Sequence, residues 1–198
     1  MNMWNERYGI SEYYYGTEAN DFLKENVSLL PANAKILCLA EGEGRNAVHL
    51  AKLGHQVTAI DQSSVGLEKL KKLAATQNVS VETIVADLSN FKFEHNSWDA
   101  IVSIWCHLPK ILRVQVHKSC IFSLRHNGIF LLEAYSPKQL EHKTGGPQSV
   151  DLLMQRDDLL SELQGLDILY GAELERNISE GIGHQGKSAV VQIIGKKQ

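Results

Sequence analysis

The chain has 198 residues, a formal net charge of −3, 43% hydrophobic and 22% charged residues, which is ordinary usage for one globular domain with a real core. No run approaches the roughly 20 apolar residues that a bilayer span needs. No basic block offers phosphate neutralisation, so neither membrane insertion nor tight nonspecific nucleic-acid binding is expected. The first residues, Met1 to Arg7, lack a basic flank and an apolar core, so no secretion signal is read there. Cys38, Cys106 and Cys120 form no C-x-x-C pair and read as reduced core thiols of a cytoplasmic protein. His49, His55, His95, His117, His126, His142 and His184 show no metal-ligand spacing, so no metal is expected.

Residues 1–30 precede the first strand and are rich in aromatics: Trp4, Tyr8, Tyr13, Tyr14, Tyr15 and Phe22. They read as an N-terminal arm ahead of a domain spanning 31–198. The arm is either packed permanently or serves as an aromatic lid that attracts a cation and excludes water. Asp21 to Leu30 reads as a short helix stopped by Pro31. The apolar run Ile36-Leu37-Cys38-Leu39-Ala40 suits a strand covered on both faces. It enters Glu41-Gly42-Glu43-Gly44-Arg45-Asn46 and then a helical pattern from Ala47. The glycines let a ligand approach the helix N-terminus.

That loop has the first two glycines of a dinucleotide loop and Ala47 in place of the third. Charge separates the alternatives, because Glu41 and Glu43 sit where a pyrophosphate would lie and carboxylates repel phosphates. A ligand with a cationic end and no phosphate fits better, and S-adenosylmethionine is such a ligand. The plainer alternative is a tight turn with solvated acids.

Gln56 to Asp61 reads as a second strand, with Asp61 placed to accept from a ribose diol. Its rival role, a helix cap, is open to Ser63 and Ser64. Val65 to Ala75 is an amphipathic helix, with Leu67, Leu70 and Leu73 inward and Lys69, Lys71 and Lys72 on a solvated face. Val81 to Asp87 is a third strand. Asp87 is placed to accept from an adenine amine and the Leu88 N–H to donate to a ring nitrogen, or else Asp87 is a turn residue.

Trp98 to Trp105 is a fourth strand and is followed by Cys106, His107, Leu108 and Pro109. Pro109 starts a helix running to about Leu124, and Ile129 to Tyr135 is a fifth strand. Residues 136–154 form a long polar loop, which suggests function. A helix over Arg156 to Leu163 leads to strands Leu166 to Ile178 and Ser188 to Ile194, joined by a Gly-rich turn. With no room for a crossover, these two pair antiparallel. The β-α unit recurs five times before this hairpin. The fold class is therefore α/β: a Rossmann-like, doubly wound, mostly parallel sheet with a C-terminal antiparallel hairpin and a reversed edge strand. Ligands belong outside the carboxyl ends of its first strands.

The loop 41–46, Asp61, Ala86-Asp87-Leu88, Trp98-Asp99-Ala100-Ile101-Val102-Ser103 and the closing hairpin resemble class I S-adenosylmethionine-dependent methyltransferases over essentially the whole chain. Trp4 to Tyr8, Tyr15 to Leu23, Ser103 to Pro109 and Thr144-Gly145-Gly146-Pro147 look like the small bacterial branch related to tellurite-resistance and thiopurine methyltransferases. The chain departs from that branch at Ala19, where proline is common, and at Glu41, where cysteine is.

The resemblance implies a seven-stranded sheet and S-adenosyl-L-methionine as cofactor. The expected cofactor contacts are Glu41, Gly42, Glu43, Gly44, Arg45, Asn46, Asp61, Gln62, Asp87, Leu88 and Trp105, with Tyr15 and Asn20 from the arm. Expected acceptor contacts are Trp4, Tyr8, His107 and Tyr135. The expected partner is a small-molecule acceptor with a soft nucleophile, a thiol or a chalcogen oxyanion, and a monomer is plausible. His107 is either a catalytic base or a strand-end residue that fixes the following helix. A nicotinamide-dependent oxidoreductase and a non-catalytic S-adenosylmethionine-binding protein stand as the other readings.

Overall fold

The computed structural model describes residues 3–198. Its elements in chain order are α1 (Met3–Tyr8), α2 (Asp21–Asn26), β1 (Lys35–Leu39), α3 (Arg45–Lys52), β2 (Gln56–Asp61), α4 (Ser64–Thr76) and β3 (Glu82–Val85). There follow β4 (Trp98–Ile104), α5 (Lys110–Ser123), β5 (Leu124–Tyr135), α6 (Arg156–Glu162), β6 (Leu166–Glu180) and β7 (His184–Lys197). One sheet holds all seven strands in the order β3-β2-β1-β4-β5-β7-β6. The first five are mutually parallel, and β7 runs antiparallel to both neighbours.

Alternation along the central strands divides the core into two layers. Leu37, Leu39, Ile101, Phe130 and Leu132 face one side, with Leu159 and Leu163 packed on them. Ile36, Cys38, Ala59, Val102 and Leu131 face the other, against Leu67 and Leu70 of α4 and Phe22 and Leu23 of α2. Continuous apolar strands are the consequence of a sheet covered on both faces. The order of the strands reverses between β1 and β4, which opens a crevice at their carboxyl ends.

Two expectations are corrected. The reversed strand is β7, which lies inside the sheet, and β6 forms the edge. The reason is burial: Val190, Val191, Ile193 and Ile194 of β7 are sunk in the core, whereas most of β6 is exposed or half-buried. The β-α unit does not recur five times, because β3 reaches β4 through a non-helical connection. Phe91 and Phe93, edge to face at 4.9 Å, pack that connection on the core.

Lys69 is also not on a solvated face. Its ammonium lies 3.3 Å from the Tyr8 carbonyl, 3.1 Å from that of Ile10 and 2.5 Å from that of Glu12. It pairs with Glu43 Oε1 at 2.5 Å and sits 4.9 Å from the Tyr13 ring centroid. Glu43 Oε2 accepts from Tyr14 N at 2.7 Å. One lysine and one glutamate therefore clamp the backbone of the arm onto α4, while Lys71 and Lys72 stay exposed. A Lys69→Met variant should exchange amide hydrogens faster over residues 8–16, with the central strands unchanged, by exchange mass spectrometry. Unaltered protection over 8–16 would place the anchor elsewhere.

Candidate active site

Four strand ends meet at the crevice. After β1 the chain turns at Ala40 (φ 48°) and Gly42 (φ 60°), and after β4 it turns at Trp105 (φ 58°). Left-handed backbone at Ala40 and Trp105 is strained for residues with a Cβ, and such strain collects at functional sites. Glu41 Oε1 accepts from Asn46 N at 3.0 Å and Ala47 N at 2.8 Å, so a carboxylate caps α3. Burial raises the Glu41 pKa to about 7 against those hydrogen bonds.

Asp61 closes β2 and is buried. Its Oδ2 accepts from Gly42 N and its Oδ1 from Ser63 N, at 2.8 and 2.7 Å. Burial raises its pKa, and the N–H groups oppose the rise. Ser63 Oγ accepts from Gly66 N at 3.0 Å, so the cap of α4 belongs to Ser63. The backbone N–H groups of Ser63, Gly42 and Gln62 lock the carboxylate in place, and three such bonds do not exhaust the acceptor capacity of its two oxygens. Asp87 is exposed, accepts from Ser89 N at 2.8 Å, and that bond holds its pKa down. Gln62 is exposed and the Leu88 side chain is buried.

The arm reaches this crevice. Tyr8 is buried against Gly42 and Gly66, and a Cβ at Gly66 would stand 2.9 Å from its ring. Burial, with Asp61 nearby, raises the pKa of the Tyr8 phenol. Trp4 stacks on Tyr8 at 5.7 Å, and Tyr8 meets Tyr15 at 6.4 Å. The expected contacts Trp4, Tyr8 and Tyr15 thus share one aromatic layer.

Four expected cofactor contacts have their side chains bound into the frame. Glu43 holds the arm, as described. Asn46 Oδ1 accepts from Asn20 N at 2.9 Å. Asn20 caps α2 and donates to Glu133 Oε2 at 2.6 Å and Glu180 Oε1 at 2.9 Å. Arg45 pairs with Glu180 Oε2 at 2.7 Å and donates to the Glu18 carbonyl at 3.1 Å.

Glu180 also accepts from Trp105 Nε1 at 2.8 Å and faces His184 Nδ1 at 3.1 Å. Burial alone would raise its pKa, but the His184 hydrogen bond and the Arg45 charge hold it at about 2. Sequence reasoning missed Glu180, His184 and Glu133. The only available signal was an acid inside the apolar fifth strand, Glu133.

Trp105, His107, Tyr135 and His184 come together from β4, β5 and β7. Trp105 stacks on Tyr135 at 4.4 Å, Tyr135 on His107 at 5.7 Å, and His184 lies 5.0 Å from Trp105 and 5.3 Å from Tyr135. Tyr15 completes the cluster at 4.5 Å from His184. His107 Nδ1 lies 2.9 Å from the Leu152 carbonyl. Burial lowers the His107 pKa to about 4 against that bond. Cys106 is buried, and burial pushes its thiol up to about 12.

An acid-lined loop, a locked strand-end carboxylate and a strained aromatic turn at the switch point fit a cationic, diol-bearing ligand such as S-adenosylmethionine. No cluster of metal-ligating side chains and no helix long and apolar enough to cross a membrane occur among the described residues.

Residues 36–128 match the methyltransferase domain family. This segment is a methyltransferase domain of the class I, S-adenosylmethionine-dependent type, and S-adenosylmethionine is the cofactor of that class. The chain is similar to the uncharacterized methyltransferase YbaJ of Bacillus subtilis, 28% identical over 52% of this chain and 41% of the relative. It is also similar to the probable S-adenosyl-L-methionine-dependent methyltransferase TehB of Haemophilus influenzae, 32% identical over 35% of this chain and 24% of the relative. The matches thus span less than half of either relative's length.

Among solved structures, one concerned with conversion of a disulfide bond into a thioacetal group during echinomycin biosynthesis superposes with a TM-score of 0.78 at 15% identity, over 98% of this chain and 88% of that one. TehB from Haemophilus influenzae gives 0.69 at 19% identity, over 90% of this chain and 60% of that one. The N-methyltransferase NodS from Bradyrhizobium japonicum gives 0.68 at 11% identity, over 89% and 92%. These likenesses establish the fold.

Two outcomes follow from the buried charges. Glu180→Gln leaves Arg45 facing a neutral amide, and breaking a buried pair costs about 3–5 kcal/mol, to be read by urea denaturation. His107, lowered from 6.5 to about 4, contributes stability that is complete above pH 6.5 and is lost as pH falls through 4. The stability advantage of wild type over His107→Asn should therefore shrink between pH 6.5 and 4, measured by denaturation at stepped pH.

Proposed function

We propose that the protein transfers a methyl group from S-adenosylmethionine to a small-molecule acceptor with a soft nucleophile, and that the arm closes the site as a lid. The observation that carries this reading is Asp61, a buried carboxylate locked at the end of β2 beside the Gly42 turn. The bound cofactor supplies an electrophilic methyl group on a positively charged sulfur. The chain's own part is alignment and exclusion of water. Asp61 takes the ribose hydroxyls and Asp87 an adenine amine. The backbone of 42–46 lies under the ligand, while Arg45, Asn46 and Asn20 hold that backbone to the arm and to Glu180. Trp105 forms the wall between the donor and acceptor halves.

His107 faces the acceptor and receives its proton, or a hydrogen bond from it, at Nε2. Trp4, Tyr8 and Tyr15 exclude water from above. Sulfur or another soft atom is favoured as the acceptor because such nucleophiles need little help from a base, and His107 is a weak one. The neighbour named for converting a disulfide into a thioacetal supports the same preference.

The nicotinamide reading needs a free helix N-terminus for a pyrophosphate. Here Glu41 already takes the Asn46 and Ala47 N–H groups. Calorimetry separates the two: S-adenosylhomocysteine should bind and NAD should not. Asp61→Ala should weaken S-adenosylhomocysteine binding by about 1–3 kcal/mol, the loss of hydrogen bonds to a charged group. An unchanged dissociation constant in a folded variant rejects the ribose role. A screen of small thiols, chalcogen oxyanions, thiopurines and halides, read as S-adenosylhomocysteine release, then tests turnover. Binding without turnover on any of them favours a non-catalytic cofactor-binding protein.

A further inference from the structure

Two buried polar atoms beside the Trp105 turn have no hydrogen-bond partner among the described residues, His107 Nε2 and Tyr135 Oη. They are carried by rings stacked at 5.7 Å. Buried polar groups are almost always satisfied, so each such pair calls for a reason. We propose that these two atoms recognise an acceptor that is neutral at its reacting atom: an X–H group, such as a protonated thiol, that donates to His107 Nε2 and accepts from Tyr135 Oη. Free oxyanions are disfavoured by their charge. The inference rests on the methyltransferase reading above and narrows its acceptor class.

The hydrogen-bond network fixes the polarity of both atoms. The partner of His107 Nδ1 is the Leu152 carbonyl, which can only accept. Nδ1 therefore carries the proton of the neutral ring, and Nε2 presents a lone pair. Tyr135 is fully buried, and burial, with Glu180 and Glu133 nearby, raises its pKa, so the phenol keeps its proton. Ser188 is the polar group beside the phenol and opposes that rise, but its contact falls short of a well-formed hydrogen bond, and its hydroxyl is shared with Thr144 Oγ1 at 3.0 Å and the Gly186 carbonyl at 3.3 Å. An acceptor-only nitrogen next to a donor hydroxyl matches a group with one hydrogen and one lone pair. A fully ionised oxyanion has no hydrogen to give to Nε2, and one that keeps a hydrogen at neutral pH still brings a negative charge that a neutral imidazole and a phenol do not balance.

The surrounding charge points the same way. The walls are the rings of Trp105, Tyr135 and His184, and a desolvated anion there needs a cation. Arg45 is paired with Glu180 at 2.7 Å, Arg176 with Glu133 at 2.8 Å and Arg113 with Glu162 at 2.6 Å. Among the described arginines, Arg7 has no carboxylate partner. It is held on the arm, 4.8 Å from the Trp4 centroid and 5.3 Å from that of Tyr14, and it donates to Tyr15 Oη at 3.0 Å. The Tyr15 and His184 rings lie between it and Tyr135. Among the described arginines, Arg7 is thus the one left for an oxyanion to bind through.

The test is calorimetry on the full chain with benzyl mercaptan, neutral at pH 7, against tellurite and selenite, each with and without saturating S-adenosylhomocysteine. Benzyl mercaptan should bind more tightly than either oxyanion. Tyr135→Phe, which keeps the ring, should weaken it about tenfold, the loss of one hydrogen bond. His107→Asn should do the same, because the asparagine amide can still donate to the Leu152 carbonyl while Nε2 is gone. The nitrogen resonance of His107 Nε2 should shift on adding the thiol. The proposal is overturned if benzyl mercaptan does not bind, if both variants bind it unchanged, or if an oxyanion binds more tightly and loses that affinity in Arg7→Gln. Failure of S-adenosylhomocysteine to bind, with the thiol result intact, removes the methyl-donor reading and leaves this one standing.

Discussion

The carboxylate of Glu180 is the interaction on which the site depends. Near the end of β6, it takes Asn20 from the arm, Arg45 from α3, Trp105 from the end of β4 and His184 from β7. Four segments distant in sequence are thereby fixed around one buried charge. Such a charge is tolerable only when paired and fully hydrogen-bonded, and here both conditions are met. Glu133 does the same one strand away: Arg176, Gln192 and Asn20 engage its two oxygens. The two acids stiffen the wall that carries the aromatic residues. The strained Trp105 turn can persist because its indole is tied to Glu180 and its amide to the Glu133 carbonyl at 2.9 Å.

Charge sorts the ligands at the other half of the crevice. Helix N-termini ordinarily attract anions. In α3 that position is filled from within by Glu41, so the loop keeps the shape of a phosphate loop while presenting the opposite charge preference. Asp61 reinforces the preference at the next strand end. The same sign appears beside Tyr135, where Glu180 and Glu133 disfavour a second anion. Both halves of the crevice therefore carry buried acids, Glu41 and Asp61 on one side and Glu180 and Glu133 on the other.

The arm links this chemistry to stability. Its hold comes from polar groups, the Lys69 ammonium and the Glu43 carboxylate, gripping backbone carbonyls and an amide, with Tyr8 seated between two glycines. Contacts of this kind are individually weak once water can compete. The sheet beneath is held by two apolar layers. Further along, Asn20, Phe22 and Leu23 of the same arm are buried, so its second half belongs to the frame of the site and to the core.

Much of this was legible in the chain itself. Short apolar runs ending in Glu41, Asp61 and Asp87, with one helix following each of the first two, dictate a covered parallel sheet, because only that arrangement buries both faces of a strand. The loop charges spoke against a phosphate ligand, since repulsion between like charges needs no fold to predict. The closing hairpin was legible because its two strands leave no room for a crossover. Only the tertiary structure decided that β7 goes inside the sheet and β6 outside, a choice set by which strand buries more apolar surface. It also decided that Lys69 clamps the arm, which periodicity alone had placed in solvent. Above all it decided that Glu180, His184, Tyr135 and His107 share one site. Side chains separated by dozens of residues acquire their protonation states and partners only when the strands that carry them are laid side by side.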